Sequence, residues 1–479
     1  MMELHISLDG RKDLSREIYR QLRHSILDGR LRAGERLPPT RDFARRLGVA
    51  RNTVALAYDQ LWSEGLVSSQ VGSGTFVSRD MAVAQRQLQS HSTLSSLQPR
   101  RVWERVRVET LVDDQLTFNF HTGTPDAALF PHKVWRRLLD QQLGEQPTHG
   151  HDGHPAGHAG LRQAITRHVG ISRGVHDAAD NVVISTGTQQ ALDIIARVLL
   201  EPGDHVAMED PGYPRARLVF EALGCHVHGV AVDREGLVVH ALPPEARLVC
   251  VCPSHQYPLG MTMSLRRRLA LLAWADMHDA AIVEDDYDSE FRFNGRPIEP
   301  LQTLDVRGRV IYVGSFSKTL LPSLRLGFIV SPPSLREAMH KAKYTSDGHT
   351  PLHTQAALAN FINQGEYTRH LRKMRAIYEA RHDVMVTALR REFGGLVEVL
   401  PSAAGLHVTA RTPGVSVDQM SDILTQAQAA GIAFHRLHVF SYQQPPEAGM
   451  VLGYGSAELS KIEAGLHRLR ECFAQVLGH

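Results

Sequence analysis

The alternation of hydrophobic and polar residues predicts three helices near the start of the chain. In the first, which begins at Leu14, apolar residues recur every four positions and so share one face. The second begins at Thr40, placed as its N-cap, and ends at Gly48. The third begins at Arg51, with apolar residues at i, i+3, i+4 and i+7. The residues predicted to be buried are Leu14, Ile18, Leu22 and Ile26, then Phe43, Ala44 and Leu47, and finally Val54, Ala57, Tyr58 and Leu61.

Two short strands with a glycine-rich tip follow, between Gly65 and Val77. Helices joined by a tight turn and followed by such strands have the pattern of a winged helix-turn-helix. Because the third helix buries one face, its polar first turn stays exposed, as the reading of base edges in the major groove requires. Arg51, Asn52 and Thr53 are therefore the candidate base-reading residues.

This segment resembles the winged-helix domain of the GntR family. The resemblance is carried by Leu37-Pro-Pro-Thr-Arg41, Gly48-Val-Ala-Arg-Asn-Thr-Val54 and Gly72-Ser-Gly-Thr-Phe76, in that order. It implies binding of double-stranded DNA. The residues implied to contact DNA are Arg41, Arg51, Asn52, Thr53 and Gly72.

The pattern changes after Ser78, where residues up to about Gln115 are rich in Gln, Ser and Arg and show no sustained period. Beyond this stretch, strand-like apolar runs alternate with helical patterns, which indicates an α/β domain with a mostly parallel sheet. We therefore expect a DNA-binding domain over residues 1–78, a linker over 79–115 and a large domain over 116–479.

Within the large domain, the segment Asn181-Val-Val-Ile-Ser-Thr-Gly-Thr-Gln-Gln190 predicts a strand, a glycine turn and a helix that begins near Gln189. A phosphate at this turn would meet unpaired N–H groups and the positive end of the helix dipole. The candidate phosphate-binding residues are Gly187, Thr188 and Gln189.

A second segment, Ala280-Ala-Ile-Val-Glu-Asp-Asp-Tyr287, is an apolar strand that ends in acidic residues. In α/β folds, ligand groups lie at this end of a strand. A carboxylate here is suited to pair with a protonated pyridine nitrogen, and a tyrosine two residues later to bond a phenolic oxygen on the same ring. We assign these roles to Asp285 and Tyr287, because strand alternation points Glu284 and Asp286 the other way.

A third segment, from Val310 to Gly327, contains one lysine flanked by hydroxyl groups and followed by an arginine. A lysine forms an imine with an aldehyde only when its amine is neutral, which burial and a nearby cation favour. Lys318 is the candidate for the Schiff base, while Ser315, Ser317 and Arg325 are candidates for phosphate binding. A nucleotide-binding P-loop is a poor alternative, because its lysine follows a glycine and Ser317 stands there.

Two turn segments complete the set. Glu209-Asp-Pro-Gly-Tyr-Pro-Arg215 places Tyr213 where it would stack on a cofactor ring. Pro253-Ser-His-Gln-Tyr-Pro-Leu-Gly260 offers polar groups after a strand, with His255 as the candidate contact.

Together, these five segments resemble fold-type I aminotransferases, and Pro-Ser-His-Gln-Tyr-Pro, Glu-Asp-Asp-Tyr-Asp-Ser-Glu-Phe and Ser-Phe-Ser-Lys-Thr-Leu resemble the MocR/GabR subfamily. The resemblance implies a smaller C-terminal α/β subdomain and pyridoxal 5'-phosphate (PLP) held by Lys318 as a Schiff base. It further implies that Asp285 pairs with the ring nitrogen, Tyr287 meets the ring oxygen and Tyr213 stacks on the ring.

The resemblance also implies a head-to-tail homodimer and an arginine that grips the carboxylate of an amino compound. Arg436 is near the expected place for this arginine, and Arg215 is the candidate to share or replace its role. The family often has a tyrosine that reaches the partner's cofactor, where this chain has Asp152. The resemblance therefore does not indicate which residue of this chain would contact the cofactor phosphate of the partner subunit.

Composition limits the remaining possibilities. The net charge is only +2, so DNA binding must depend on local placement of Lys and Arg. No apolar run approaches the ~18 residues of a membrane span, and the N-terminus does not resemble a signal peptide, which predicts a cytoplasmic protein. His149, His151, His154 and His158 crowd one loop, but their spacing matches no standard zinc pattern, so we expect no metal site.

These observations favour a PLP-dependent transcription regulator that senses PLP or an amino compound through its aminotransferase-like domain. The alternative is an active aminotransferase that carries a DNA-binding domain, since a freed Lys318 can act as a base. Partial transamination is compatible with either function, and the atypical carboxylate site argues against multiple turnover. A third possibility is a DNA-binding protein whose cofactor domain is empty.

Overall fold

The computed structural model describes residues 6–8, 13–70, 73–80, 97–106, 116–144, 153–293 and 298–478. The chain divides into two compact units, Met1–Pro99 and Arg100–His479. Gly72, Asp152 and most of the predicted linker lie outside the described residues, as do His149 and His151.

The described residues of the first unit form three helices followed by a two-stranded antiparallel sheet. The helices begin at the predicted residues, and most of the residues predicted to be buried form the core, with Ile18, Leu22 and Ile26 fully buried. Leu14 and Leu47, also predicted to be buried, are only partly buried. Tyr58 donates a hydrogen bond to the carbonyl of Pro38 at 2.9 Å, which ties the third helix to the turn before the second. The elements are α1 (Leu14–Leu27), α2 (Thr40–Leu47), α3 (Arg51–Ser63), β1 (Val67–Gln70) and β2 (Gly74–Val77).

The capping role predicted for Thr40 is wrong. The N-cap of α2 is Pro39, which has no side-chain acceptor, and Thr40 is the first residue of the helix itself. Its Oγ1 instead lies 3.4 Å from Nε of Arg51 at the start of α3. Thr40 therefore joins the first turns of the two helices.

The second unit is an α/β structure with fourteen strands among its described residues. The strands are β3 (Phe118–Asn119), β4 (Val182–Ser185), β5 (His205–Asp210), β6 (His226–Asp233), β7 (Gly236–Leu237), β8 (Ala246–Val251), β9 (Ala281–Asp286), β10 (Val310–Ser315), β11 (Gly327–Val330), β12 (Glu398–Val399), β13 (His407–Arg411), β14 (Ile432–Ala433), β15 (His435–Arg436) and β16 (Gly449–Gly453).

The helices of this unit pack on both faces of its sheets. They are α4 (Val102–Arg105), α5 (His132–Gly144), α6 (Ala159–Arg173), α7 (Thr188–Leu199), α8 (Pro214–Ala222), α9 (Leu265–Met277), α10 (Leu301–Leu304), α11 (Arg336–Asp347), α12 (Leu352–Asn363), α13 (Glu366–Phe393), α14 (Val417–Ala429) and α15 (Leu459–Leu477). Among the described residues, no helix combines the length and apolar character needed to cross a membrane.

The central sheet has eight strands in the order β4-β11-β10-β9-β8-β5-β6-β7. The pairs from β10 through β9, β8 and β5 to β6 are parallel, whereas β11 and β7 run antiparallel to their neighbours. The prediction of a mostly parallel sheet is therefore confirmed. Because the carboxyl ends of the parallel strands meet at one edge, the residues that follow β5, β8, β9 and β10 come together there.

The C-terminal residues form the smaller α/β subdomain. An antiparallel sheet in the order β12-β13-β16-β15 packs with α13, α14 and α15 around one apolar core. The subdomain is tied to the central sheet by Asp210 at the end of β5. Its carboxylate accepts backbone N–H bonds from Tyr442, Gln443 and Gln444 at 2.9, 2.6 and 2.8 Å.

The stretch predicted as a linker contains one short helix, α4, among its described residues. This helix lies against α8 of the same unit, although Trp103 on it stays 53 % exposed. Four residues are too few to show a helical period in the sequence, so the pattern could not reveal the helix.

Candidate functional sites

Lys318 lies in the turn that directly follows β10. Phe316 and Leu320 on either side of it are buried, which anchors the turn and leaves the lysine facing the carboxyl edge of the sheet. Its Nζ donates a hydrogen bond to the carbonyl oxygen of Gly123 at 2.9 Å. Gly123 has a φ of 78°, which favours glycine, and a Cβ placed on it would lie 2.4 Å from that Nζ, so a side chain there would displace the lysine amine.

The electrostatic surroundings of Lys318 favour its neutral amine. Burial is the main cause that lowers the pKa of Lys318, and the positive charge of Arg215 lowers it further. The carboxylates of Asp288 and Asp285 act in the opposite direction, but the resulting pKa is below the ordinary value for lysine. This turn therefore holds an amine that is more nucleophilic at neutral pH than an exposed lysine.

The acidic residues at the end of β9 divide between the two faces of the sheet. Glu284 accepts backbone N–H bonds from Leu301 and Gln302, and Asp286 is bonded to Arg173 and Tyr312. Asp285 points to the other face, where its charge acts on Lys318. The division follows from the two-residue period of a strand.

Asp285 is the member of this group with an unsatisfied carboxylate oxygen. The residue is 6 % exposed, and its Oδ1 is buried without a hydrogen-bond partner. Burial is the main cause that raises the pKa of Asp285 to about 7, and the charge of Asp286 adds to it. A buried, unpaired carboxyl oxygen costs stability unless a donor or a cation reaches it.

Tyr287, on the same face as Asp285, belongs to a network of buried polar groups. Its hydroxyl lies 3.0 Å from Nδ1 of His255, and the same nitrogen lies 2.9 Å from Oδ1 of Asp288. On its other side, Nε2 of His255 lies 3.0 Å from Oγ of Ser402. His255 is therefore fixed at both ring nitrogens and positions the phenol of Tyr287.

Tyr213 lies immediately before α8, within reach of the same edge. Nε2 of Gln189 lies 3.4 Å from its hydroxyl oxygen, and burial raises the pKa of that hydroxyl. The ring of Tyr257 meets that of Tyr213 edge to face at 6.0 Å. Three aromatic rings, those of Tyr213, Tyr257 and Tyr287, thus line one region near Lys318.

The glycine turn before α7 lies beside the Lys318 turn because of the sheet register. Gly327 on β11 is aligned with Ser315 on one side and Ser185 on the other, and a Cβ on Gly327 would lie 2.9 Å from Cα of Gly187. Gly187 itself has a φ of 112°, which favours glycine, and a Cβ on it would lie 3.3 Å from Nη2 of Arg325.

The helix after this turn begins at Thr188, one residue before the predicted start. Thr188, Gln189 and Arg325 therefore surround one space with the amino end of α7. Ser315 is buried, and its Oγ accepts a bond from the backbone N–H of Ser317 at 3.2 Å. The arrangement offers N–H donors, hydroxyls and a guanidinium, the groups that bind phosphate.

The two effector-binding candidates differ in position. Arg215 is exposed, and its charge acts on both Lys318 and Tyr213. Arg436 donates a hydrogen bond to Oγ of Ser421 on α14 at 2.6 Å. Its neighbour on β15, His435, faces the other way and lies 3.0 Å from Nδ1 of His121. The structure thus brings Arg215 to the Lys318 region and turns Arg436 toward α14.

Several residues of the site were not found from the sequence. Gly123 lies far from any motif, and its role depends on the carbonyl that Lys318 reaches. Asp288 and Ser402 hold His255, and the buried ring of His407 lies 5.1 Å from it. Asp288 comes two residues after the predicted acidic strand, so its position in the sequence could have indicated it. Ser402 and His407 belong to the C-terminal subdomain, and nothing in the sequence pattern pointed to them.

In the first unit, Arg41, Arg51 and Asn52 are exposed and Thr53 is partly exposed. All four lie in the first turns of α2 and α3, so the amino ends of both helices present polar groups to solvent. Arg36 was missed by the sequence analysis. It forms a backbone bridge with Phe76 in the wing, and its guanidinium lies 6.0 Å from the centre of that ring.

Comparison with protein families gives two matches. The family of class I and II aminotransferases matches residues 117–446, and the gntR family of bacterial regulatory proteins matches residues 14–77.

Individual proteins are similar over nearly the whole chain. The probable rhizopine catabolism regulatory protein MocR of Rhizobium meliloti is 40 % identical over 478 residues, which cover 98 % of this chain and 96 % of that protein. The HTH-type transcriptional regulator TauR of Rhodobacter capsulatus is 36 % identical over 470 residues, 96 % of each chain. Among solved structures, the α-aminoadipate aminotransferase LysN of Thermus thermophilus, complexed with N-(5'-phosphopyridoxyl)-L-leucine, is 27 % identical with a TM-score of 0.72, covering 79 % of this chain and 98 % of that one.

Proposed function

We propose that this chain controls transcription in response to a ligand of its second domain. The premise is that it belongs to the MocR-type family of regulators, which join a gntR-family DNA-binding domain to a class I and II aminotransferase domain. Relatives of the same architecture are named transcriptional regulators, which favours regulation over metabolism alone. The proposed ligand is PLP, or an amino compound that reacts with PLP. We retain residues 1–78, 79–115 and 116–479 as the proposed DNA-binding domain, linker and sensing domain.

The observation that carries the proposal is the pairing of Lys318 with Asp285 at one edge of the sheet. The unpaired Oδ1 of Asp285 fits a protonated ring nitrogen, and the space bounded by Gly187 and Arg325 fits a phosphate. The residues present therefore fit PLP, in agreement with the complex described for LysN.

In this arrangement each side chain has a defined task. Lys318 supplies the amine that bonds the cofactor aldehyde, and Asp285 keeps a proton on the ring nitrogen. PLP, when bound, supplies an electron-withdrawing ring and an aldehyde that exchanges one amine for another. Tyr287, held by His255, would donate to the ring oxygen, and Tyr213 would stack on the ring. The phosphate is assigned to Gly187, Thr188, Gln189, Ser315, Ser317 and Arg325.

The effector is assigned to the region of Arg215, whose guanidinium lies near Lys318 and is free to meet an anionic group from solvent. An amino compound with a carboxylate or sulfonate would place its amine at Lys318 and its anion at Arg215. Arg436 would have to leave Ser421 before it shares this role. We therefore assign Arg215 the larger part in effector binding.

A head-to-tail homodimer and a cytoplasmic location complete the proposal. The dimer is expected from the resemblance to the family, and the location from the DNA that the first domain is expected to bind. Arg41, Arg51, Asn52 and Thr53 are the proposed DNA contacts in the described residues, and Gly72 is proposed for the wing.

The proposal is tested by measuring the affinity of the full-length protein for a duplex selected from random DNA, by fluorescence anisotropy. We expect PLP, or PLP with one of a panel of amino acids and amino sulfonates, to change this affinity by roughly 5-fold to 150-fold. The DNA must then change the affinity for that ligand by the same factor. Sustained transamination at enzyme rates, with no effect of ligand on DNA binding, would favour the aminotransferase alternative.

A second prediction concerns the stability of the cofactor-free protein. The pKa of Asp285 is raised from 3.8 to about 7, so the folded state holds a proton that the unfolded state releases, and stability falls as the pH rises from about 4 to 7. We expect Asp285→Asn to remove this cost, which is about 1.4 kcal/mol per pKa unit. The variant should therefore melt at a higher temperature than the wild type at pH 8, with a smaller difference at pH 5.

The same substitution should weaken PLP binding, because an amide cannot neutralise a protonated ring nitrogen. A hydrogen bond to a charged group contributes ~1.5 to 3 kcal/mol, so the dissociation constant should rise by about tenfold or more. Asp193→Asn, which changes a partly exposed carboxylate on α7, is the control and should alter neither quantity. Loss of stability at pH 8 in Asp285→Asn would contradict the assigned role of burial.

A further inference from the structure

A cluster of two histidines and one glutamate lies at the amino edge of the central sheet, opposite the edge that carries Lys318. Nδ1 of His205 lies 2.8 Å from Nε2 of His228 and 3.6 Å from Oε1 of Glu245. The three ligand atoms all lie within 4.8 Å of one another. The rings of His205 and His228 are stacked, with their centres 5.0 Å apart.

The strand register explains why these residues meet. His205, the first residue of β5, is aligned with His226 on β6 and with Ala246 on β8, which directly follows Glu245. His228 lies two residues after His226 and therefore points to the same face of the sheet. The three groups thus come from neighbouring strands: the first residue of β5, the third residue of β6 and the residue before β8.

The cluster is open to solvent. The side chains of His205 and Glu245 are 34 % and 49 % exposed. The nearby cation Arg247 lies 3.7 Å from the carboxylate of Asp204, and the ring of His226 is centred 5.1 Å from that of His205.

We propose that His205, His228 and Glu245 bind one divalent ion of the zinc, nickel or copper class. Imidazole nitrogens and a carboxylate oxygen are the ligands that these ions share. Bonds of ~2.0 to 2.2 Å in a tetrahedral site place neighbouring ligand atoms ~3.4 Å apart, and the two observed separations lie on either side of that value. The ion takes the place of the hydrogen bond between the two histidines. The ring that donates this bond shifts its proton to its other nitrogen, so both rings bind as neutral imidazoles, and water fills the remaining position.

A second cluster, formed by His255, Asp288 and His407, offers three donors of the same kinds but is less suitable. Nε2 of His255 is already bonded to Ser402, and Nε2 of His407 lies 2.9 Å from the carbonyl of Pro258. An ion there would have to break these buried hydrogen bonds, whereas the cluster at His205 gives up a single hydrogen bond between two partly exposed rings.

The site is tested by titrating the full-length protein, freed of metal with a chelator, with zinc chloride in a calorimeter. We expect one ion per chain at this site, with binding weakened in His205→Gln and in His228→Gln by at least the ~10-fold that loss of a supporting residue around a metal usually costs. His240→Gln, which removes an exposed histidine of the same domain, is the matched control and should bind as the wild type does.

Cobalt provides an independent measurement, because its visible spectrum reports the ligands. All four cysteines are buried, so the Co²⁺ form should show bands without a thiolate charge-transfer component. Equal binding in the wild type and His205→Gln, or an equal loss in His240→Gln, would show only adventitious histidine binding and overturn the proposal. If His228→Gln fails to fold, the partly exposed His205→Gln decides. PLP uptake should be unchanged in these variants, so the result is separate from that for the Lys318 site.

Discussion

Lys318→Ala is expected to abolish covalent retention of PLP. After incubation with PLP, reduction with borohydride and digestion, mass spectrometry should find the cofactor on the peptide that contains Lys318 in the wild type and on no equivalent peptide of the variant. We expect this because burial lowers the pKa of the Lys318 amine and because Asp285 has an unpaired oxygen that can bond the nitrogen of the cofactor ring. The same variant should keep its basal DNA affinity but lose the response to amino compounds.

Lys341→Ala is the matched control for this experiment. Lys341 lies exposed on α11 in an ion pair with Glu337, so its removal takes away one amine without touching the sheet edge. We expect this variant to retain PLP and to respond as the wild type does. A Lys318→Ala protein that kept its full response on DNA would refute the sensing mechanism, although it would leave the DNA-binding assignment intact.

Arg51→Ala is expected to weaken DNA binding at one base position. If its guanidinium bonds to a guanine in the major groove, the loss should be about 1 to 3 kcal/mol, which corresponds to roughly 5-fold to 150-fold in affinity. Arg51 is exposed at the start of α3, and its Nε lies near Thr40, which directs the side chain toward the first turn of α2. The measurement compares affinities for the selected duplex and for duplexes with single base changes.

Arg20→Ala separates this effect from a general loss of positive charge. Arg20 is exposed on α1 and pairs with Glu17, outside the two helices assigned to DNA. It should change affinity little and equally for all duplexes. A uniform loss for Arg51→Ala across every duplex, with an altered salt dependence, would make Arg51 a phosphate contact instead of a base contact.

The parts of the fold that the sequence predicted well are those governed by local periodicity. The buried face of α3, formed by Val54, Ala57, Tyr58 and Leu61, is the predicted one. The opposite directions of Asp285 and Asp286 follow from strand alternation, which also depends on neighbouring residues alone. Capping was predicted less well, because Pro39 and Thr40 both suit a helix start and only the backbone geometry decides between them.

The parts that the sequence could not predict depend on distant residues. Arg436 belongs to a strand of only two residues, so no alternation indicated that its side chain would face Ser421 while His435 faced His121. His205, His228 and Glu245 come from three separate elements and meet only through the sheet register. The four histidines of the loop from His149 to His158 are close in sequence, but closeness in sequence does not by itself indicate that side chains meet at one point in space.

The three backbone N–H bonds that Asp210 accepts couple the end of β5 to the segment before β16. The strand that ends at Asp210 leads directly into the turn with Tyr213 and Arg215, while the donors belong to the segment before β16. Separating the end of β5 from this segment would leave the buried carboxylate of Asp210 without partners, which would cost ~1 to 3 kcal/mol or more of free energy. A molecule that displaces the Tyr213 turn would therefore act on the segment before β16 as well, which links ligand binding beside Arg215 to the C-terminal subdomain.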